Sequence, residues 1–329
     1  MTERGSRGVN RVLAKLDSSI ESGHYYEAHQ MYRTLYFRYT AQKKYEECLN
    51  LLYEGALKLL DKQQQTSGAD LSLLIIDTLE KRGQSEDLYS WINRDDLNSW
   101  INRLGILIKN ISATTVERET LICRSIKWTG DISKNNLGHP AMHRTIAQTM
   151  WAEGNTEQAR HHYLLSRDGL NCGLMLVKLS EQKGFDNELD LFICQVVLQQ
   201  LSVLKDKETA LLTFETYTKY HPKIARTEPA FKLPLLNFTY FLLKTIDTGR
   251  LAMFKVLCEL YKPLLMRDPS FLKYLNKISM YFFGEAPPPS PPQSGMMGGL
   301  FGDLFTRLFQ GFEEGDDEPT VVAQTNELD

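Results

Sequence analysis

The residues best suited to chemistry in this chain are histidines and paired carboxylates, and neither set is arranged to support a reaction. His139 and His143 are four residues apart, the spacing that turns two imidazoles toward one metal ion from a helix face. No third ligand accompanies them and Pro140 falls in the first turn, so the pair reads as structural. His161-His162, and His24 with His29, offer no better ligand set. Glu46-Glu47 and Asp95-Asp96 are adjacent in sequence and suit solvated or capping positions. No phosphate loop, dinucleotide fingerprint, zincin helix or nucleophile elbow is present. Cys48, Cys123, Cys172, Cys194 and Cys258 are odd in number, scattered, and without a C-x-x-C, which predicts reduced thiols acting as small core residues. The expectation is no catalytic residue, no metal and no cofactor.

What remains is surface chemistry. Segment 25–45 sets Tyr25, Tyr26, Tyr32, Tyr36, Phe37, Tyr39 and Tyr45 among His29, Arg33, Arg38, Lys43 and Lys44. Tyr and Arg each present apolar area with a polar end, which is why they dominate binding hot spots, and such a face suits an acidic partner. The competing reading is equal in weight: most of these tyrosines are core and the arginines merely solvated.

The elements that carry these residues are helices. Val12, Leu13, Leu16 and Ile20 make one apolar stripe, and similar stripes recur to Phe283. Six of the twelve prolines precede Pro287, at helix joints such as 138–140, 221–222 and 268–269. Segment 222–235, with three prolines and mixed polarity, suggests an irregular excursion or a short hairpin. A repeated joint is also visible. Gly23, Ala28 and Tyr32 have the same spacing as Gly154, Ala159 and Tyr163. Lys205, Ala210 and Phe214 form a degenerate copy, and Cys48 with Leu52 a partial one. A tight turn, a small residue that lets the next helix approach, and a large one filling the groove are the chemistry of tetratricopeptide-like pairs. The fold class expected is therefore all-α, an α-solenoid of helix pairs. Ser90-Trp-Ile-Asn-Arg94 recurs as Ser99-Trp-Ile-Asn-Arg103, half a turn out of phase, so a break is expected between them with Asp95 and Asp96 as caps.

Beyond Gly284 the composition changes. Residues 284–299 form a Pro/Gly-rich linker that cannot pack. Leu300, Phe301, Leu304, Phe305 and Leu308 share one apolar face of a short helix, 300–312, which is marginal alone and must fold against something. That something is a partner, this solenoid, or least favourably a membrane surface, since a single Arg307 precedes an acidic run. Residues 313–329, with all seven of the carboxylates found beyond residue 310 and no cation, read as a disordered acidic tail.

The 329 residues are 42% hydrophobic and 24% charged with net charge −3, enough for a substantial core under a solvated surface. Without its tail the chain is only mildly basic, too weakly for nucleic acid. The start lacks a signal-like apolar run, and Phe231–Ile246, interrupted by Lys232, Pro234 and Lys244, falls short of a membrane span. These features predict a soluble protein of the cytosol with no stable membrane insertion.

Several segments also resemble a known family in order along the chain. Tyr26-Glu-Ala-His-Gln30 with Arg33 and Arg38-Tyr39, Gly55-Ala56, Ser67-Gly-Ala-Asp-Leu71, Gly138-His-Pro140 with His143, and Tyr220-His-Pro222 are similar to the Golgi-to-ER traffic protein 4 family. The Gly-Gly-Leu-Phe-Gly-Asp-Leu tail and Glu-Leu-Asp end resemble its animal members. The resemblance implies a non-enzymatic scaffold in the delivery of tail-anchored proteins to the endoplasmic reticulum. Its N-terminal half, 1–150, would bind the targeting ATPase, with Tyr26, His29, Arg33 and Arg38 near that face and Asp70 at a position that tunes ATP hydrolysis. Its C-terminal half, 151–283, would bind a second subunit, a ubiquitin-like protein or a BAG-family chaperone scaffold, through Phe231, Leu235, Phe238 and Phe241. Two other readings are weighed against it: a helical-repeat scaffold of another assembly, such as a vesicle-fusion adaptor or proteasome-lid-like subunit, and an all-helical enzyme. The tail fits the first poorly, and Asp95-Asp96 alone cannot supply the second.

Overall fold

The computed structural model describes residues 3–85, 92–224 and 228–286, with side chains placed from Arg11 to Gly83 in the first stretch. Trp91, the apolar helix at 300–312 and the acidic tail lie outside the described residues. Up to Glu285 the chain packs as one unit. Among the described residues all regular structure is helical, as the apolar periodicity requires.

The first ladder consists of α1 (Glu3–Glu21), α2 (Tyr25–Ala41), α3 (Tyr45–Asp61) and α4 (Gln65–Ser85). Next come α5 (Arg94–Asn110), α6 (Val116–Ser133), α7 (Pro140–Ala152) and α8 (Thr156–Leu165). Helices α2, α4 and α6 pack in one layer and α3, α5 and α7 in another, and this alternation builds the solenoid. The array continues with α9 (Gly169–Lys183), α10 (Leu189–Gln199), a π-turn at Gln200–Leu204, and α11 (Lys207–Tyr220). It closes with α12 (Pro234–Thr248), α13 (Leu251–Leu260), α14 (Lys262–Leu265) and α15 (Ser270–Phe283). Helix α9 lies against α11, α10 against α12, and α15 against the π-turn. Residue 150 falls inside α7, so the two halves of the chain are not separate folding units.

The joints explain the repeat. Three residues separate α1 from α2, α2 from α3, α3 from α4 and α7 from α8. At each the middle residue is left-handed: Gly23 (φ 78°), Lys43 (55°), Gln63 (60°) and Gly154 (79°). That conformation lets the next two amides satisfy orphan carbonyls of the helix just ended. Gly23 donates to Ile20 and His24 to Ser19; Lys43 and Lys44 donate likewise to Thr40 and Tyr39. Five residues past each left-handed position stands a fully buried small residue: Ala28, Cys48, Gly68 or Ala159. The same offset relates Arg167 to Cys172 and Lys205 to Ala210. A small side chain there lets consecutive helices approach, and the larger residue four further on, Tyr32, Leu52, Tyr163 or Phe214, fills the groove. Gly55 serves the same packing from the other side: a methyl group on it would sit 2.4 Å from the Tyr32 ring.

The break expected between the Trp-containing repeats falls at the start of α5, but the cap is Asn93, whose side chain accepts from Asp96 N–H at 2.9 Å. Asp95 and Asp96 occupy the first turn instead, where their charge favours the helix dipole. The described residues of segment 222–233 contain no strand and follow an irregular path. Asn237 anchors it by accepting from Phe231 N–H at 2.9 Å and donating to Phe231 C=O at 3.0 Å.

Candidate partner-binding faces

Helix α2 divides its residues cleanly. Ala28, Tyr32, Leu35, Tyr36 and Tyr39 turn into the core. At 100° per residue, Tyr26, Gln30, Arg33 and Phe37 fall on the opposite stripe. Tyr26 is 78% and Phe37 60% exposed, so two large aromatic surfaces flank Arg33 in solvent. Three of the six tyrosines of segment 25–45, Tyr32, Tyr36 and Tyr39, are core, and a Tyr–Arg–Phe stripe remains outside.

Asp70, in the second turn of α4, reaches this stripe. It accepts from His29 Nε2 at 2.7 Å, and from Arg33 Nη1 at 3.1 Å and 3.2 Å through its two oxygens. The His29 hydrogen bond and the Arg33 charge outweigh partial burial and hold the Asp70 carboxyl below its ordinary value. The structure thus joins three residues named from separate stretches of sequence into one cluster, with Tyr26 a turn away. Arg38 does not join them. It is exposed, but lies about 140° round the helix from Arg33.

In the C-terminal half, Phe231, Leu235 and Phe238 are buried, Leu235 and Phe238 completely. Phe231 meets Phe214 of α11 edge to face at 6.0 Å, and Phe238 meets Tyr261 at 5.6 Å. They support a surface from below and cannot form it; of the four expected docking residues only Phe241 is exposed. Exposed apolar side chains in this half are scattered, Phe185 and Met266 among them, and on α13 Met253, Val256 and Leu260 share a stripe at i, i+3 and i+7. Val256 is 69% and Leu260 72% exposed, while the adjoining stripe of Phe254 and Leu257 is buried. The sequence signal was a helix apolar on two faces, more than one core contact requires.

The remaining reactive groups are structural in their surroundings. His139 caps α7, its Nδ1 accepting from Ala141 N–H at 3.2 Å. His143 is buried against His162. Arg118, also buried, donates to Ile108 C=O and clamps Glu153 with both terminal nitrogens, tying α6 to the α7–α8 joint. A groove of about 820 Å³ opens beside that clamp between α6 and α8, lined by Ile122, Ile126, Met150 and His162 among others. No three His, Cys, Asp or Glu side chains converge on a metal position among the described residues. No described helix is long and apolar enough to cross a membrane.

These features define the class: an all-helical repeat scaffold whose exposed chemistry is a mixed aromatic–cationic stripe at one end and an apolar stripe near the other. Comparison with known proteins places it more narrowly. The family model described as Golgi to ER traffic protein 4 matches residues 42–305. The chain is 45% identical to the Golgi to ER traffic protein 4 homolog of Oryzias latipes, covering 86% of this chain and 84% of that one. It is 44% identical to the Homo sapiens homolog, over 86% and 83% respectively. A solved structure described as the crystal structure of C. therm. Get4 matches with a TM-score of 0.75 at 22% identity, over 97% of this chain and 100% of that one. The chain belongs to the Golgi to ER traffic protein 4 family, and its fold is the α-solenoid of that crystal structure.

Proposed function

We propose that this protein is a non-enzymatic scaffold of the cytosol in Golgi-to-ER traffic, bridging the ATPase that targets tail-anchored membrane proteins to an upstream chaperone complex and so supporting their insertion into the endoplasmic reticulum. The observation that carries the reading is the Tyr26–Arg33–Phe37 stripe, where a charge with an unoccupied edge sits between exposed aromatics. Arg33 meets Asp70 only through Nη1. Its Nε and Nη2 edge, the one that grips carboxylates in bidentate fashion, has no partner among the described residues. An acidic ATPase surface with apolar neighbours is the complement of that stripe. The second subunit, a BAG-family chaperone scaffold or a ubiquitin-like protein, is assigned to the apolar face of α13 with Phe241 on the neighbouring α12. Helices α2 and α13 share no packing neighbour, which supports simultaneous occupation. Neither face offers a basic tract suited to nucleic acid.

Binding of the purified ATPase, measured by calorimetry, tests the first face. A charge-assisted contact contributes roughly 1.5–3 kcal/mol, so Arg33→Glu is expected to weaken binding at least about tenfold, and wild-type affinity to fall with added salt. Unchanged affinity in the variant removes the anchoring role from α2.

A further inference from the structure

We propose that the groove between α6 and α8 is a further docking face, which takes a basic, apolar segment of a partner and seats one of its arginines on His162 and Glu119. This face rests on neither the α2 nor the α13 reading. The first observation is how the groove arises. Helices α2, α4 and α6 pack side by side, but α8, next in that layer, rests chiefly on α7 and α9. A slot of about 820 Å³ is left where a regular solenoid would close. Its floor is apolar, built from Ile122 and Ile126 of α6 and Met150 of α7. The second observation is a buried acceptor that opens on this slot. His162 lines the groove although it is only 5% exposed. His143 Nε2 must donate to the Leu137 carbonyl, so His143 Nδ1 accepts the proton of His162 Nδ1, which leaves a lone pair on His162 Nε2. That nitrogen has no hydrogen-bond partner among the described residues, and it is not sealed from solvent. Burial keeps the ring neutral, so Nε2 stays an acceptor at neutral pH.

The third observation is the charge. Arg118, the one cation among the lining residues, is already engaged: it donates to Ile108 C=O and holds Glu153 with both terminal nitrogens. Glu119 also lines the groove, is exposed, and has no ion-pair partner among the described residues. The charge left over is therefore negative, and the buried atom left over is an acceptor. A guanidinium has five donors and no acceptor on an apolar stem, so it answers both while the stem covers the Ile122 and Met150 floor. An aromatic N–H would leave Glu119 unmatched. A carboxylate would be repelled by Glu119 and would face a lone pair.

The experiment uses a phage-displayed library of random peptides as probe, selected on the full chain and counter-selected on Glu119→Lys, an exposed substitution the fold tolerates. Peptides that set an arginine among apolar residues are expected to be enriched. Enrichment of acidic or arginine-free peptides, or of none, overturns the proposal. The strongest peptide is then titrated by calorimetry with its arginine intact or replaced by citrulline, which keeps the shape and removes the charge. Citrulline in the peptide and Glu119→Lys in the protein are each expected to weaken binding at least about tenfold, and added salt to weaken it in wild type. Equal affinity with either change overturns the proposal. Arg33→Glu and Val256→Glu/Leu260→Glu are expected to bind the peptide as wild type does; a loss in either places it on another face and has the same consequence. Imidazole ¹⁵N spectra decide the part of His162 without substituting a buried residue. Its Nε2 resonance is expected to be that of an unprotonated nitrogen in the free chain and to move when the peptide binds. An Nε2 that already carries a proton, or one that the peptide does not move, removes the acceptor and with it the proposal.

Discussion

His143 and His162 face each other across the α7–α8 joint with their Nδ1 atoms 2.9 Å apart. His143 Nε2 lies 2.6 Å from the Leu137 carbonyl and must donate to it, so its Nδ1 accepts the proton of His162 Nδ1. Both rings are neutral in this arrangement, and a further proton on His143 Nδ1 would set two N–H groups against each other. Burial pushes the His143 value down to about 4 and the His162 value to about 3, from an ordinary 6.5. Because the folded values are depressed, the unfolded chain binds more protons below pH 6.5, so stability is lost as pH falls from that value toward 4. Thermal melts from pH 7 to pH 5 should show a falling Tm, and a smaller fall in His162→Leu. Equal slopes in the two proteins would contradict this role for the pair. The sequence suggested a structural role for His139 and His143, but not that His143 pairs with a histidine nineteen residues on. The Arg33–Asp70 contact was hidden for the same reason. Its partners lie on α2 and α4, neighbours in the layer but separated in sequence by the whole of α3.

At the scale of elements, the helical stripes and half of the joints were legible, because glycine marks a left-handed residue so strongly. Lys43, Gln63, Arg167 and Lys205 hold the same conformation without that mark, which is why the repeat looked degenerate. Non-glycine residues there carry a cost of roughly 1–2 kcal/mol, partly offset by the chain entropy that glycine would lose on folding. Lys43→Gly and Gln63→Gly should each stabilise the fold by about 0.5–1 kcal/mol, read by chemical denaturation, and Gly23→Ala should destabilise it by a similar amount. A Lys43→Gly variant that is less stable would mean that the lysine contributes a contact outweighing its backbone strain. The resemblance placed Phe231, Leu235 and Phe238 at a docking surface, and the structure buries all three side chains. An apolar side chain does not itself say whether protein or solvent lies opposite: Phe231 meets Phe214 of α11, and Phe238 meets Tyr261 between α13 and α14. The α13 stripe was recoverable only by asking how many faces of a helix a core can use.

The molecule as a whole presents two kinds of surface on helices with no neighbour in common. Around α2 the surface is aromatic and cationic, where salt governs affinity and single charges matter. Around α13 it is aliphatic, where buried area governs and truncation to a charge excludes a partner by desolvation. Mutations at one face should therefore leave the other intact. Val256 and Leu260 are exposed enough for Val256→Glu and Leu260→Glu to be carried without loss of the fold. The most direct measurement is sedimentation of the purified chain with the targeting ATPase and the BAG-family chaperone scaffold together. Wild type is expected to form one three-component complex, Arg33→Glu to keep the scaffold and lose the ATPase, and the Val256→Glu/Leu260→Glu variant to do the reverse. Loss of both partners from either variant, or retention of both by each, would contradict a bridge built from two separable faces.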